Sequence, residues 1–298
     1  MGTDTRTETD QIPVFHVKGR CLPEAWEKAL LAVWDGGVEV ATEYAAEDDP
    51  LSLDATVVVE VSDPLGEPRL HKNFPGGPRD LEVYRQEVIE GVHDHWIKPR
   101  EGKWTYTYHQ RLFAYRAISD AMEPEASPFG AVDQIDYMVE KLSEAPHTRR
   151  AQGITWIPHS DPKTDDPPCL QRVWARLLPC GEGEGYRLNL NTHWRSRDLV
   201  LAWFMNAFGF TYLQSFIAEK ISDKLGVPVR CSRYVDISDS LHIKGSLRTD
   251  DLTEEVKKMK TSPWTDRAWE TSKFQTIFEE ARQKLEDDPD YFARGGKV

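Results

Sequence analysis

Basic residues are in deficit in this chain: Lys plus Arg number 37 against 50 Asp plus Glu in 298 residues, a net charge of −13. The deficit argues against a nucleic-acid partner, because general nucleic-acid binders carry a basic face. It leaves room for a small anion, since a few converging arginines invert the field locally. Long apolar runs are missing too. None approaches the roughly 18 residues needed to span a bilayer, so no membrane partner is expected. Cysteine is sparse: Cys21, Cys169, Cys180 and Cys231 lie far apart and fit no zinc spacing such as CxxC. Reduced thiols in a cytoplasmic compartment are the default reading, and whether one thiol is reactive stays open. No internal repeat or long low-complexity segment is visible. Met1 to Gln11 is polar and acidic, unlike a signal peptide, and reads as a disordered leader. Residues 12–298 contain no linker-like break and read as one domain.

Hydrophobic periodicity places the elements. Glu24 to Trp34 carries Trp26, Leu30, Val33 and Trp34 at helical spacing, and Gly36-Gly37 stops it. Thr56 to Val61 reads as a buried strand. Pro64 to Pro78, with four prolines and three glycines, is loop. Leu81 to Val92 and Asp133 to Leu142 are helical, the second with Ile135, Met138, Val139 and Leu142 on one face. Gly153 to Ile157 and Gln171 to Leu178 are strands. Tyr186 to Trp194 returns from a turn at Gly181, Gly183 and Gly185. Leu199 to Leu225 is a long helix, apolar nearly all round at its start, which marks a central buried element. Val227 to Val235 is a further strand and Thr265 to Leu285 a polar amphipathic helix. Mixed strands and helices without regular alternation indicate an α+β fold, a large sheet on a core helix.

The chemistry concentrates around Asp165-Asp166-Pro167-Pro168-Cys169. Two prolines fix the backbone before a thiol at a strand start, and nearby arginines would favour the nucleophilic thiolate. The plain alternative is a buried structural cysteine. Arg195-Ser196-Arg197-Asp198 follows downstream, Asn206 lies eight residues after Asp198, and Arg149-Arg150 precedes. Four arginines and a serine hydroxyl suit a phosphate. Singly, each arginine reads as a solvated charge, and Asp198 as an ordinary helix cap.

In order and approximate spacing, this set resembles the thymidylate synthase family, which includes pyrimidine-nucleotide hydroxymethylases. The residues carrying the resemblance are Asp133-Gln134-Ile135, Arg149-Arg150, Trp156, Pro167-Pro168-Cys169, the RSxD motif of Arg195 to Asp198, Asn206 and His242, within about residues 104 to 246. The resemblance implies a large mixed sheet packed on a long central helix, with the sheet at a homodimer interface. It implies a pyrimidine nucleoside monophosphate and a reduced folate, 5,10-methylenetetrahydrofolate, as substrates, and no metal. Cys169 would add to C6 of the pyrimidine. Arg195 and Ser196 would hold the 5′-phosphate, with Arg149 and Arg150 reaching across the dimer and Arg20 a further candidate. Asp198 would accept from the pterin, Asn206 would read the base edge and His242 the ribose. Tyr108 would stand beside the nucleophile, and Glu87 or Glu90 would relay protons.

Departures from the pattern matter. Leu170 follows the nucleophile where the family has histidine, and Lys244 replaces the tyrosine of His-x-Tyr. The tryptophan-rich helix motif is not visible. The apolar tail that closes over folate gives way to Ala293-Arg294-Gly295-Gly296-Lys297-Val298. Water exclusion decides between methyl and hydroxymethyl products, so the polar tail favours hydroxymethylation, with reductive methylation as the alternative. Asn206 leans toward uracil without excluding cytosine. Two rival readings remain: a zinc hydrolase using His93 and His95 on one strand face, for which no third ligand is evident and against which solvated loop histidines are the plain reading, and a non-catalytic nucleotide- or protein-binding member of the fold. The retained Cys169 and Asp198 speak against the second.

Overall fold

The computed structural model describes residues 11–43, 45–46, 48–116, 130–181, 183–295 and 297. The expected leader, Gln11 apart, lies outside them. In chain order the strands and α-helices are β1 (Val14–Gly19), α1 (Leu22–Gly36), β2 (Val38–Val40), β3 (Ser52–Val61), β4 (Leu70–His71), α2 (Pro78–Ile89), α3 (Tyr108–Phe113), α4 (Gln134–Glu144), β5 (Gln152–Ile154), β6 (Leu170–Pro179), β7 (Tyr186–Trp194), β8 (Arg197–Asp198), α5 (Trp203–Leu225), β9 (Val229–Ile243), α6 (Asp250–Thr261), β10 (Ala268–Trp269) and α7 (Gln275–Asp287).

Among the described residues the main sheet runs β1-β3-β9-β7-β6-β5, with β2 added to β3 and β8 to β9. It is mixed: β1 pairs parallel to β3 and β7 parallel to β9, while β3–β9 and β6–β7 are antiparallel. Alternate residues of the strands point to the helices, as the two-residue period requires. Leu188, Leu190 and Trp194 of β7 and Val57, Val59 and Val61 of β3 are fully buried in this way. The expected α+β class, with a large mixed sheet on a buried helix, is the fold observed.

The central helix is α5. Phe204, Phe208, Phe210, Leu213, Ile217 and Ile221 are all inaccessible to water, and the helix ends on Gly226, whose left-handed φ of 65° suits a residue without a side chain. α2 packs along it. Their close approach is at Gly209, where a Cβ would sit 2.9 Å from the Tyr84 ring. α1 covers the other flank, and Trp26 Nε1 donates to the Leu199 carbonyl at 2.8 Å, joining it to the start of α5. A second buried anchor joins the C-terminal third of the chain to α1: Arg267 donates through Nε and Nη2 to Glu27, each at 2.8 Å, and His71 stands 3.1 Å from the same carboxylate.

Several expected boundaries shift. The helix expected from Leu199 begins at Trp203, because Arg197 and Asp198 first pair with Leu241 and His242 of β9 in extended backbone. Pairing with β3 carries β9 to Ile243, well beyond Val235. The polar helix expected from Thr265 begins at Gln275, since residues 264–274 form 3₁₀ turns and β10, which pairs with β4. β5 ends at Ile154 rather than Ile157. Helix α6, with Leu252, Val256 and Met259 buried, and edge strand β1 were not expected.

Candidate active site

Cys169 stands at the mouth of the β6–β7 hairpin. The Arg195 backbone N–H donates to the Cys169 carbonyl at 2.9 Å, and the Arg195 guanidinium donates to the carbonyls of Pro167 and Pro168 at 2.6 and 3.2 Å. The prolines cannot donate in return, so the guanidinium ties the loop that presents the thiol. Burial pushes the thiol up from its ordinary value; Arg195 opposes this, Asp166 adds to it, and Arg197 and Lys244 oppose it. The remaining cysteines have no comparable set of cations. Cys231 is pushed up to about 12, chiefly by burial, with Arg69 opposing. All four cysteines are free.

Beside the thiol lies a charged cluster built by the β8–β9 pairing. Asp198 Oδ1 accepts the backbone N–H groups of Val200 and Leu201 at 2.9 and 2.8 Å, an Asx turn into α5. Its Oδ2 pairs with Lys244 Nζ at 3.1 Å. His242 sits opposite Asp198 in register. Burial lowers its pKa, with Asp198 and Asp54 opposing. Lys244, the departure from the family pattern, thus pairs with Asp198 and its charge acts on the Cys169 thiol.

Asn206 is held from two sides. Arg197 Nε donates to its Oδ1 at 3.3 Å, and its Nδ2 donates to the Tyr84 hydroxyl at 2.6 Å. An arginine offers only donors, so the amide oxygen must face it. Arg197 itself is buried, 3.6 Å above the Trp194 ring and ion-paired to Asp236. Asp236 also accepts from Trp203 Nε1 at 3.1 Å and from Ser238 at 2.9 Å. Sequence reasoning counted Arg197 among phosphate ligands, but its guanidinium is spent inside the core. The only sequence signal was an arginine inside RSxD, where periodicity says nothing about burial.

Glu87 and Glu90 separate cleanly. Glu87 lines a cavity of about 730 Å³ together with Tyr84, Tyr106, Tyr108, Trp104 and Asp166, whereas Glu90 is exposed at the end of α2. Tyr108 accepts the Leu170 N–H at 3.4 Å and its ring stands edge-on to Trp194 at 5.5 Å. Burial raises both Tyr106 and Tyr108, and the Cys169 thiol adds to the shift in each case. Cys169, next to Leu170, is thus beside Tyr108 in the lining of this cavity. Trp104, 44% exposed and 5.0 Å from Trp96, supplies an aromatic surface at the cavity that no helical tryptophan motif announced.

Other expected residues are elsewhere. Arg20 follows β1, four strand spacings across the sheet from β6, roughly 19 Å at about 4.8 Å per step. It is tied to Asp63 at 3.4 Å and to the Glu67 carbonyl. Arg149 and Arg150 are exposed in the turn before edge strand β5. Ser196 is half-buried in the turn between β7 and β8. His93 and His95 are not on a strand. They lie in a turn and 3₁₀ helix, where His93 meets Glu87 at 2.6 Å and His95 meets Asp290 at 2.8 Å. The zinc reading needs them side by side with a third ligand. Among the described residues, no group of three or more His, Cys, Asp or Glu side chains is placed to hold a metal.

Comparison with known proteins agrees with this geometry. Residues 85–273, more than half of the chain, match the family profile described as thymidylate synthase. A Methanosarcina mazei protein named "Putative thymidylate synthase" is 29% identical over 211 residues, covering 71% of this chain and 83% of that one. A Methanocaldococcus jannaschii protein of the same name is 26% identical over 232 residues, covering 76% and 89%. The thermostable thymidylate synthase A of Bacillus subtilis superposes with a TM-score of 0.54 at 17% identity, over 80% of this chain and 83% of that one, which is a likeness of fold. With the nucleophile loop, the RSxD turn and the long central helix in place, the chain belongs to the thymidylate synthase family of one-carbon transferases.

Proposed function

We propose that this protein transfers a one-carbon unit from 5,10-methylenetetrahydrofolate to C5 of a pyrimidine nucleoside 5′-monophosphate, and that the product is the hydroxymethyl nucleotide. The observation that carries the reading is Cys169, in a loop clamped by Arg195 and beside Tyr108, which lines a cavity together with Glu87.

The chemistry follows from what a pyrimidine lacks. C5 is a poor nucleophile until a thiolate adds at C6. Cys169 supplies that thiolate, with Arg195, Arg197 and Lys244 offsetting the burial that disfavours it. Arg195 binds the 5′-phosphate through Nη1, which among the described residues makes no protein hydrogen bond, with Ser196 beside it. Asn206 reads the base edge and His242 the ribose. Glu87 rather than Glu90 moves the protons, since only Glu87 faces the cavity. The folate supplies a one-carbon unit at the oxidation level of formaldehyde. The cavity volume lies in the usual range for small-molecule sites, roughly 300–1,000 Å³, and Trp104 offers a face for the pterin or its aryl group. Asp198 accepts from the pterin once Lys244, about half exposed, swings off it.

Water then decides the product. The C-terminal segment is polar: Arg294 pairs with Asp288 and Asp290 instead of laying apolar surface over the cavity. Water reaching the exocyclic methylene gives hydroxymethyl. The second reading is reductive methylation, supported by the names of the relatives. In both, the outer sheet face forms a homodimer in the cytoplasm, and Arg149 and Arg150 reach the partner's phosphate.

The deciding experiment incubates the protein with methylenetetrahydrofolate and dUMP, UMP, dCMP or CMP in turn and reads product mass. A product heavier by one CH₂O supports hydroxymethylation, and a methyl product supports the second reading. No product with any nucleotide, or full turnover by Cys169→Ala, overturns both.

A further inference from the structure

Glu87 and His93 meet in a geometry that fixes their proton count. His93 lies in the turn after α2, with a side chain 4% exposed and its ring stacked on Trp96 at 3.6 Å. Its Nε2 is 3.0 Å from the Pro289 carbonyl, and its Nδ1 is 2.6 Å from Glu87 Oε1. A carbonyl can only accept, so Nε2 carries a hydrogen. A neutral imidazole has one N–H, which leaves Nδ1 an acceptor. The contact with Glu87 then needs a proton of its own. It sits on the carboxyl, or on Nδ1 of an imidazolium facing a carboxylate. In both placements the pair holds one proton more than an ionised glutamate beside a neutral histidine.

We propose that Glu87 and His93 form a proton-holding pair at the cavity, and that the Pro289 carbonyl, in the segment after α7, sets its tautomer. His93 is then a positioning residue that acts through Glu87, and the inference rests on the reading of Glu87 as the group that moves protons at the pyrimidine. As the Cys169 sulfur bonds to C6, the C5–C6 π electrons move toward the ring's C4 substituent, which takes the stored proton from Glu87. When C5 bonds to the one-carbon unit, the C4 substituent returns that proton to the pair; the proton that C5 later gives up passes through the pair to the folate nitrogen that leaves, so the pair ends as it began. Among the described residues, Tyr84 from α2, His95 from the same turn and Asp290 from the C-terminal segment lie near the pair, and Lys103, Tyr106, Tyr108, Lys163, Asp165 and Asp166 line the cavity that Glu87 shares. Asp94, next in the chain, is turned to His109 at 2.7 Å and to Thr107. The C-terminal segment thereby acts on the chemistry from behind the cavity, through a backbone carbonyl.

The test is nitrogen NMR of the full-length protein labelled at histidine, with His93 assigned by loss of its signals in His93→Gln. The expected result between about pH 6 and 8 is a protonated Nε2, with Nδ1 showing the shift of an acceptor in a short hydrogen bond or of an imidazolium. In Glu87→Gln, the side-chain amide donates to Nδ1, and His93 is a neutral Nε2–H tautomer. A neutral Nδ1–H tautomer with bare Nε2 in the wild type overturns the proposal. This readout needs no turnover, so it stands or fails separately from the nucleotide assay. In that assay, His93→Gln is expected to lower kcat at least tenfold, with the nucleotide KM within twofold and the pH–rate profile displaced. Unchanged kcat with a raised KM would assign His93 a purely structural role and overturn the proposal.

Discussion

Arg197 Nε donates to Asn206 Oδ1 at 3.3 Å from inside the core, so a buried cation sets the orientation of the amide proposed to read the base. The guanidinium is held in turn by Asp236, by the Trp194 ring and by the Trp203 carbonyl at 3.3 Å. Removing one partner of a buried pair leaves the other charge uncompensated. Arg197→Ala is therefore expected to destabilise the fold by about 3–5 kcal/mol, read by urea unfolding. The double variant Arg197→Met, Asp236→Leu should recover much of that loss. A cost below about 1 kcal/mol for the single variant, within the range of an exposed pair, would show that the pair is solvated in solution.

Gly209 lets the Tyr84 ring approach α5, and a Cβ there would lie 2.9 Å from the ring. Gly209→Ala must displace Tyr84, whose hydroxyl accepts from Asn206 Nδ2 at 2.6 Å. Overpacking of this kind costs about 1–3 kcal/mol. The variant should unfold at lower urea and bind nucleotide more weakly. Unchanged binding would separate Tyr84 from the nucleotide site.

The alkylation rate of Cys169 should rise with pH, with a midpoint above that of an unperturbed thiol, about 8.5. Burial raises the thiol and the cations only partly offset it. Lys244→Met removes a cation that lowers the thiol, so the midpoint should move further up. Asp166→Asn removes an anion that raises it, so the midpoint should move down. Site-resolved mass spectrometry distinguishes Cys169 from Cys231. Shifts of opposite sign would contradict the electrostatic account.

Arg195→Ala should weaken binding of a nucleoside monophosphate by about 1.5–3 kcal/mol, the scale of a hydrogen bond to a charged group. The parent nucleoside should lose far less. Calorimetry on both ligands gives the comparison, and equal losses would move the phosphate site away from Arg195.

Glu27 links acid stability to the fold. Burial would raise its carboxyl, but hydrogen bonds from His71 and Arg267, with their charges, hold it below the ordinary value. A depressed carboxylate contributes stability that is present above its unfolded pKa, about 4.3, and is lost as pH falls through the folded value. Urea midpoints should therefore fall below about pH 4, a range set by that unfolded value. Glu27→Gln should flatten the dependence while lowering stability at neutral pH.

How much was legible in the sequence depended on range. Helix α4 emerged with its face of Ile135, Met138, Val139 and Leu142, because one 3.6-residue period carries that information. β7 and the stop of α1 at Gly36-Gly37 were legible for the same local reason. Ordered motifs around Cys169, Asp198 and Asn206 identified the family. Glu87 and Glu90, three residues apart on one helix, could not be told apart until α2 was packed and only one of them faced the cavity. Arg197 read as one more surface cation because its partner Asp236 lies 39 residues further along. His93 read as a solvated loop histidine, with a metal site as the rival, because the carbonyl it meets, on Pro289, is 196 residues away.

The sequence by itself determined the fold class, the charge balance and the candidate thiol with its two preceding prolines, since each rests on residue type or on spacing within one element. Only the tertiary structure decided which arginine is core, which glutamate lines the cavity and which histidine lies against it. Those properties depend on what surrounds a side chain, and here the surroundings come from strands and turns far apart in the chain.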